Sequence, residues 1–323
     1  MCEDPSAATL MKAVRIHSYG GVDALKFEDA PRPRPKDDEV LVRVIAAAVN
    51  PVDAKVRQGA FRMPGATMPL ILGYDISGVV EETGAKATKF KRGDAVYAYM
   101  SLERGGAYAE FAIVKENEAS AKPQTRTHEQ AAAVPLAALT AWQTLVERAR
   151  LDAGQTVLIH GGSGGVGMYA IQIAKARGAK VIATASGANQ EFLRELGADQ
   201  PIDYKATKFE EVVKDVDVVL DLVGGDTLTR SYDVVKKGGI IVSVLDQPKK
   251  AELEKRGIRG TAMLVQPAGD MLAELTKLID AGKIKSVVSQ TFPLAATAEA
   301  HKAIESGHTR GKIVLRVADE PKS

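Results

Sequence analysis

The chain has 323 residues, room for about two packed cores at roughly 150 residues each. Its 43 basic and 41 acidic side chains leave a net charge of +2 with no like-charged run, which argues against a polyphosphate-tracking nucleic-acid binder. The one cysteine, Cys2, rules out a disulfide framework, a CxxC redox pair and a four-cysteine zinc lobe, and no stretch reaches the roughly 18 apolar residues of a membrane span. A globular protein in a reducing compartment, the cytoplasm, with neither nucleic acid nor membrane as partner, is expected.

Residues 1–10, MCEDPSAATL, are acidic and lack both Arg and an apolar core, so they read as a short disordered leader rather than a targeting segment. From Lys12 to about Lys122 short apolar runs alternate with polar residues between Gly and Pro, as in EVLVRVIAAAV, ISGVVEETG and DAVYAYM. That texture predicts a β-rich, partly open barrel or sandwich. From about His128 the units lengthen: an Ala-rich helix around Gln130 to Arg150, strand TVLIH, a glycine loop and a helix from Val166 to Arg177. The alternation continues through KVIATA, a helix containing Phe192 and Leu196, PIDY, DVDVVLDLV, a helix near Leu228 to Val235, and GGIIVSVL. Apolar strands joined by helical crossovers predict an α/β, doubly wound parallel sheet, running to about Gly282. The segments VVSQTFPL and KIVLRV then restore the strand texture and are expected to rejoin the first domain. The expected boundaries are 11–127 with 287–323 for the β-rich domain and 128–286 for the parallel-sheet domain.

Strand TVLIH runs into Gly161, Gly162, Ser163, Gly164, Gly165, Val166 and Gly167, and the helix follows at once. Gly162, Gly164 and Gly167 satisfy GxGxxG in the setting that makes it informative, a strand before and a helix after. The pattern supplies a tight turn, close backbone approach to a diphosphate, and the positive end of a helix facing it. An NAD site would place Asp or Glu at the end of the second strand, about twenty residues on, to bond the ribose 2′-hydroxyl. Thr184, Ala185, Ser186 and Gly187 stand there instead, so NADPH is favoured, with Ser186 a candidate donor to its 2′-phosphate. A second reading leaves Ser186 merely starting the next helix.

The segments YGGVDALKFED, AAAVNPVDAKVRQG, GYDISGVV, GDAVYA, PLAALTAWQTL, GGSGGVG, LGADQPIDY and RGKIVL together resemble the medium-chain dehydrogenase/reductase superfamily, in its zinc-free branch of quinone oxidoreductases and alkenal/enone reductases. The resemblance implies a GroES-like catalytic domain completed by the C-terminal tail, a Rossmann domain, and a nicotinamide cleft between them. It also implies a homodimer. Zinc-dependent relatives carry a Cys near NPVD and a His in the segment matching Gly73 to Asp75, where this chain has Asn50 and Tyr74, so no catalytic metal is expected.

Position by position, the resemblance implies that Tyr204 borders the 2′-phosphate, with Asn189 where many relatives have Lys. Thr140 is implied near the nicotinamide and diphosphate, and Val223, Val244 and Leu245 are implied to present backbone groups to the nicotinamide end. Lys312 either approaches the cofactor or is a surface Lys beginning a strand. Asn50, Pro51, Asp53 and Gly59 also describe a capped short helix, with Asn50 as N-cap; the resemblance sets Asn50 beside nicotinamide and substrate. Lys55 stands where many quinone oxidoreductases have Tyr, and either polarises a carbonyl or faces water. Asn50, Lys55 and Tyr74 are therefore the candidate catalytic residues. Without a Lewis acid, hydride transfer to an enone, enal or quinone is the expected reaction, its developing charge needing only hydrogen-bond donors. A low-activity NADPH-binding scaffold or sensor is the alternative.

Overall fold

The computed structural model describes residues 9–62 and 65–320, and these fall into two compact units. Unit 1 comprises Met1–Leu136, Pro267–Asp280 and Ser286–Ser323; unit 2 comprises Ala137–Gln266 and Ala281–Lys285.

In unit 1, β1 (Leu10–Ile16), β2 (Lys26–Pro31), β3 (Glu39–Val49), α1 (Pro51–Arg57), β4 (Leu70–Ile71), β5 (Asp75–Thr83), β6 (Ala95–Tyr99), β7 (Phe111–Lys115), β8 (Ala119–Ala121) and α2 (His128–Ala132) follow in order. Leu10 already begins β1, so the expected leader is shortened at its end; residues 1–8 lie outside the described residues. The 11-residue β3 is buried over ten of its positions: β5 takes one edge, β7 and the strand Lys312–Arg316 the other, and Ala132 and Ala133 pack onto Ala46 and Ala48. An exception to alternating burial of this kind requires cover on both faces.

Unit 2 follows with α3 (Pro135–Trp142), which begins at the junction, β9 (Thr156–His160), α4 (Gly165–Ala176), β10 (Lys180–Ala185), α5 (Gln190–Glu195), β11 (Gln200–Asp203), α6 (Phe209–Val212), β12 (Val216–Asp221), α7 (Gly225–Ser231), β13 (Val235–Ser243), α8 (Lys250–Arg256) and β14 (Arg259–Ala262). The expected continuous helix from Gln130 to Arg150 is broken, since Pro135 cannot donate within a helix, and its last turn, Gln143–Arg148, widens to i→i+5 bonding. The six strands are all parallel in the order β11-β10-β9-β12-β13-β14. Chain order reverses at β9, the topological switch point of a doubly wound sheet, where the crevice beyond the strand ends binds ligands. Val157, Leu158 and Ile159 are fully buried, each worth about 2 kcal/mol of apolar transfer.

The chain returns to unit 1 with α9 (Gly269–Asp280), β15 (Val288–Pro293), α10 (Thr297–Glu305) and β16 (Lys312–Arg316). β16 pairs antiparallel with the end of β3, and β15 extends the sheet beyond it. Both α2 and α9 belong here, not to the parallel-sheet domain as expected. The Tyr97 hydroxyl donates to the Leu272 carbonyl at 2.7 Å, and a side chain at Gly269 would sit 2.3 Å from the Ala119 carbonyl, so α9 is pressed onto β8. Residues 281–285 return to unit 2 because Gln172 bonds both the N–H and the C=O of Lys285.

Candidate functional site

In unit 1 the buried run Ala46 to Val49 ends at Asn50, and Pro51, with its preset φ, opens α1. Asn50 is the N-cap of α1, as expected. The Asn50 side chain makes no cap bond; instead the Asp53 carboxylate accepts the Asn50 backbone N–H at 2.7 Å. This frees the amide of Asn50, whose Nδ2 donates to Asp75 Oδ2 at 2.9 Å and whose Oδ1 accepts from the Lys312 ammonium. Lys312 is 3% exposed, not a surface residue, and its Nζ lies 3.3 Å from the Val49 carbonyl and 3.6 Å from Asp75. Two hydrogen bonds, to Asn50 and Val49, and an ion pair with Asp75 turn the ammonium to these groups rather than to a phosphate.

Burial pushes the Asp75 carboxyl up and the Lys312 ammonium down, and their mutual attraction opposes both. Asp53 is fully buried; it accepts the Tyr108 hydroxyl at 2.6 Å, and its Oδ1 has no partner. Desolvation raises its carboxyl to about 7, against the Tyr108 and Asn50 hydrogen bonds that lower it. Tyr74 is 2% exposed, and burial raises its phenol, so ionising it as a metal ligand would be costly. Lys55 stands on the exposed face of α1. The structure thus brings Asn50 and Lys312 together around Asp75, a residue that sequence reasoning passed over; its signal, a carboxylate opening the apolar strand ISGVV, was present in the quoted segment.

In unit 2 the glycine loop leaves β9 at Gly161, whose φ of +73° needs glycine. A Cβ at Gly167 would lie 2.2 Å from the Gly161 carbonyl, so this glycine serves helix-to-loop packing. A Cβ at Gly164 would meet nothing closer than 3.5 Å, although Gly164 caps α4 without a side chain. Space is kept open there beside first-turn N–H groups that have no acceptor within the helix and no acidic neighbour. The residues present fit a dinucleotide diphosphate, held by the backbone from Ser163 to Val166.

Ala185 and Asp203 are register partners, which brings Ser186 and Tyr204 side by side beyond the ends of β10 and β11. Asn189 donates to the Ser186 hydroxyl at 3.1 Å, and Tyr204 is 57% exposed. Sequence reasoning found no carboxylate here, yet β11 contributes one: Asp203 Oδ2 would lie 2.7 Å from a Cβ at Gly187. Beyond β12 and β13, buried Asp221 accepts the N–H groups of Val223 and Gly224 and the Ser243 hydroxyl, which in turn accepts from Leu245 and Asp246. That network sets Val223, Val244 and Leu245 in neighbouring loops. Thr140, on α3, is 5% exposed.

His160, the last residue of β9, ties this end of the sheet together. Ser231 donates its hydroxyl to the Thr227 carbonyl at 2.7 Å and so accepts from His160 Nε2 at 3.0 Å, leaving Nδ1 to accept from Thr184 at 3.1 Å. Burial, then the charge of Arg230, pushes its pKa down from 6.5 to about 3. Between those values the unfolded chain binds a proton that the fold refuses, so stability is full above about pH 6.5 and falls with pH below it. In urea titrations from pH 6.5 to 4.5, His160→Gln should flatten that dependence by about 1.4 kcal/mol per pH unit. An unchanged slope would mean that the folded imidazole is already charged.

Comparison with known proteins accords with this geometry. Residues 36–124 match the alcohol dehydrogenase GroES-like domain family and residues 196–315 the zinc-binding dehydrogenase family. The chain is 40% identical to the NADPH-dependent alkenal/one oxidoreductase, chloroplastic, of Arabidopsis thaliana, covering 97% of this chain and 81% of that one. Among solved structures it resembles the quinone oxidoreductase of Coxiella burnetii (TM-score 0.90, 36% identity, 96% and 100% coverage). It also resembles the Escherichia coli quinone oxidoreductase complexed with NADPH (TM-score 0.87, 30% identity, 95% and 100% coverage). A GroES-like β-rich unit and a Rossmann unit with a dinucleotide loop define the class, a two-domain nicotinamide oxidoreductase. The chain belongs to the medium-chain dehydrogenase/reductase superfamily, in its quinone oxidoreductase and alkenal/enone reductase branch.

Proposed function

We propose that this protein is an NADPH-dependent oxidoreductase that reduces the C=C bond of α,β-unsaturated carbonyls, or quinones, without a metal. The observation that carries the reading is the donor set of unit 1. Where zinc-dependent relatives place ligands, Asn50 and Tyr74 stand, and the neighbouring oxygens already share a resident cation, the Lys312 ammonium. Such a cluster offers hydrogen bonds and no soft, deprotonated ligand.

NADPH, when bound, supplies the hydride. The backbone from Ser163 to Val166 binds its diphosphate, and Ser186, with Tyr204, meets the 2′-phosphate. Asn50 donates Nδ2–H to the carbonyl oxygen. As the new C–H bond forms at the β-carbon, the C=C electron pair moves toward that oxygen, where a fixed donor stabilises the charge. The enolate electron pair then takes a proton from water at the α-carbon as the C=O bond re-forms, releasing hydroxide and completing the reduction. We further propose a homodimer in the cytoplasm: β14 is a free edge of the parallel sheet, suited to pairing, and one cysteine suits a reducing compartment.

With 4-deuterated NADPH, a small enone and excess chelator, the label should appear on the β-carbon of a saturated carbonyl product. Deuterium on the carbonyl carbon, giving an allylic alcohol, would defeat the mechanism. Failure to oxidise NADPH with any quinone, 2-alkenal or enone would leave a nucleotide-binding scaffold or sensor in its place.

A further inference from the structure

The Asn50 amide is held at both ends. An ammonium offers only hydrogens and a carboxylate only lone pairs. Turning the amide over would set its NH2 against Lys312 and its oxygen against Asp75, exchanging two hydrogen bonds for two repulsions. The holders are themselves anchored. The Lys312 ammonium also faces the Val49 carbonyl, and the second oxygen of Asp75 accepts the Leu136 N–H at 2.7 Å. Asn50, Asp75 and Lys312 are 2%, 0% and 3% exposed, so water does not compete for these bonds. A buried ion pair adds little stability over neutral groups of similar shape, and orientation is what this one supplies.

We infer that Asp75 and Lys312 are positioning residues that lock the Asn50 amide in one orientation, reserving its second Nδ2 hydrogen for the carbonyl oxygen of the substrate. The inference rests on the role proposed above for Asn50, and gives Lys312 a task distinct from binding the cofactor.

Lys312→Met alone would strand a buried carboxylate, so the informative variant is Asp75→Asn with Lys312→Met, which leaves no charge and, with the one oxygen of residue 75 held by the Leu136 N–H, turns its NH2 toward Asn50 and favours the flipped amide. Its Kd for NADPH should match the native protein, and its melting temperature should fall no further than that of Asn50→Ala, since the Lys312 hydrogen bonds to Val49 and Asn50 are lost. Its kcat with a small enone should fall about 30-fold, below the hundredfold or more for deleting an oxyanion donor outright, since a misoriented amide still donates part of the time. KM for the enone should stay within about threefold, because the interaction is made chiefly as charge develops. Lys312→Arg, which still donates to Oδ1, should keep kcat within about threefold. Native kcat in the double variant, or an equal loss in Lys312→Arg, overturns the lock. A native protein inactive toward enones and quinones sinks the functional reading instead. The lock is then still read by 15N NMR, as a slowly exchanging, downfield Asn50 side-chain proton that the double variant loses.

Discussion

Asn50→Ala should lower kcat for enone reduction about a hundredfold per folded molecule. One preorganised donor to a developing oxyanion in a dry site is worth about 3 kcal/mol, and 1.36 kcal/mol is a factor of ten. The same substitution also removes two buried hydrogen bonds, to Asp75 and Lys312, so a stability loss of about 1–3 kcal/mol is expected beside it. The two effects separate when turnover is normalised to folded protein and to NADPH bound. Asn50→Asp sharpens the test. It keeps the shape but replaces the donor by an acceptor that repels Asp75, and should lose at least as much turnover as Asn50→Ala. A rate within threefold of native in Asn50→Ala would return that amide to a purely structural role.

Gly164→Val should raise the Kd for NADPH about a hundredfold while costing less than about 1 kcal/mol of stability. The backbone at Gly164 has φ −76° and ψ 176°, a conformation open to any residue, and the protein leaves room for a side chain there. The cost of a branched residue at an N-cap is about that size. The side chain would fill the space through which a diphosphate reaches the helix N-terminus. Gly167→Ala should do the opposite: its Cβ would meet the Gly161 carbonyl at 2.2 Å and Gly162 Cα at 2.7 Å, forcing helix and loop apart at about 1–3 kcal/mol or more. Calorimetry and fluorescence titration on both variants check the contrast. Equal cofactor affinity in Gly164→Val and native protein would remove the dinucleotide from this loop.

Much of the fold was legible because it rests on local grammar. Strand TVLIH, the glycine loop and the helix after it lie within one stretch, and each element's periodicity is set by its own residues. Errors came where neighbours decide. Helix α9 reads like another crossover of the parallel sheet, yet Tyr97 and the close approach at Gly269 attach it to unit 1. A carboxylate of the next strand, Asp203, comes up beside Gly187, a neighbour that a count along the chain does not show. Asp53 was legible as a helix-capping carboxylate, but its bond to Tyr108 spans 55 positions and its burial follows from the packing of several elements.

The sequence by itself determined the family, the parallel order of strands and helices, the dinucleotide loop and the residues standing where a metal would be held, since these depend on residue type and short spacing. Only the tertiary structure decided what Asn50 and Lys312 do. One directly follows β3 and the other begins β16, 262 positions apart, and antiparallel pairing of those strands seats the ammonium, the amide and Asp75 together, out of water. Out of water, hydrogen-bond donors and acceptors must be matched to one another. That matching depends on which side chains meet, and the spacing of residues along the chain does not encode it.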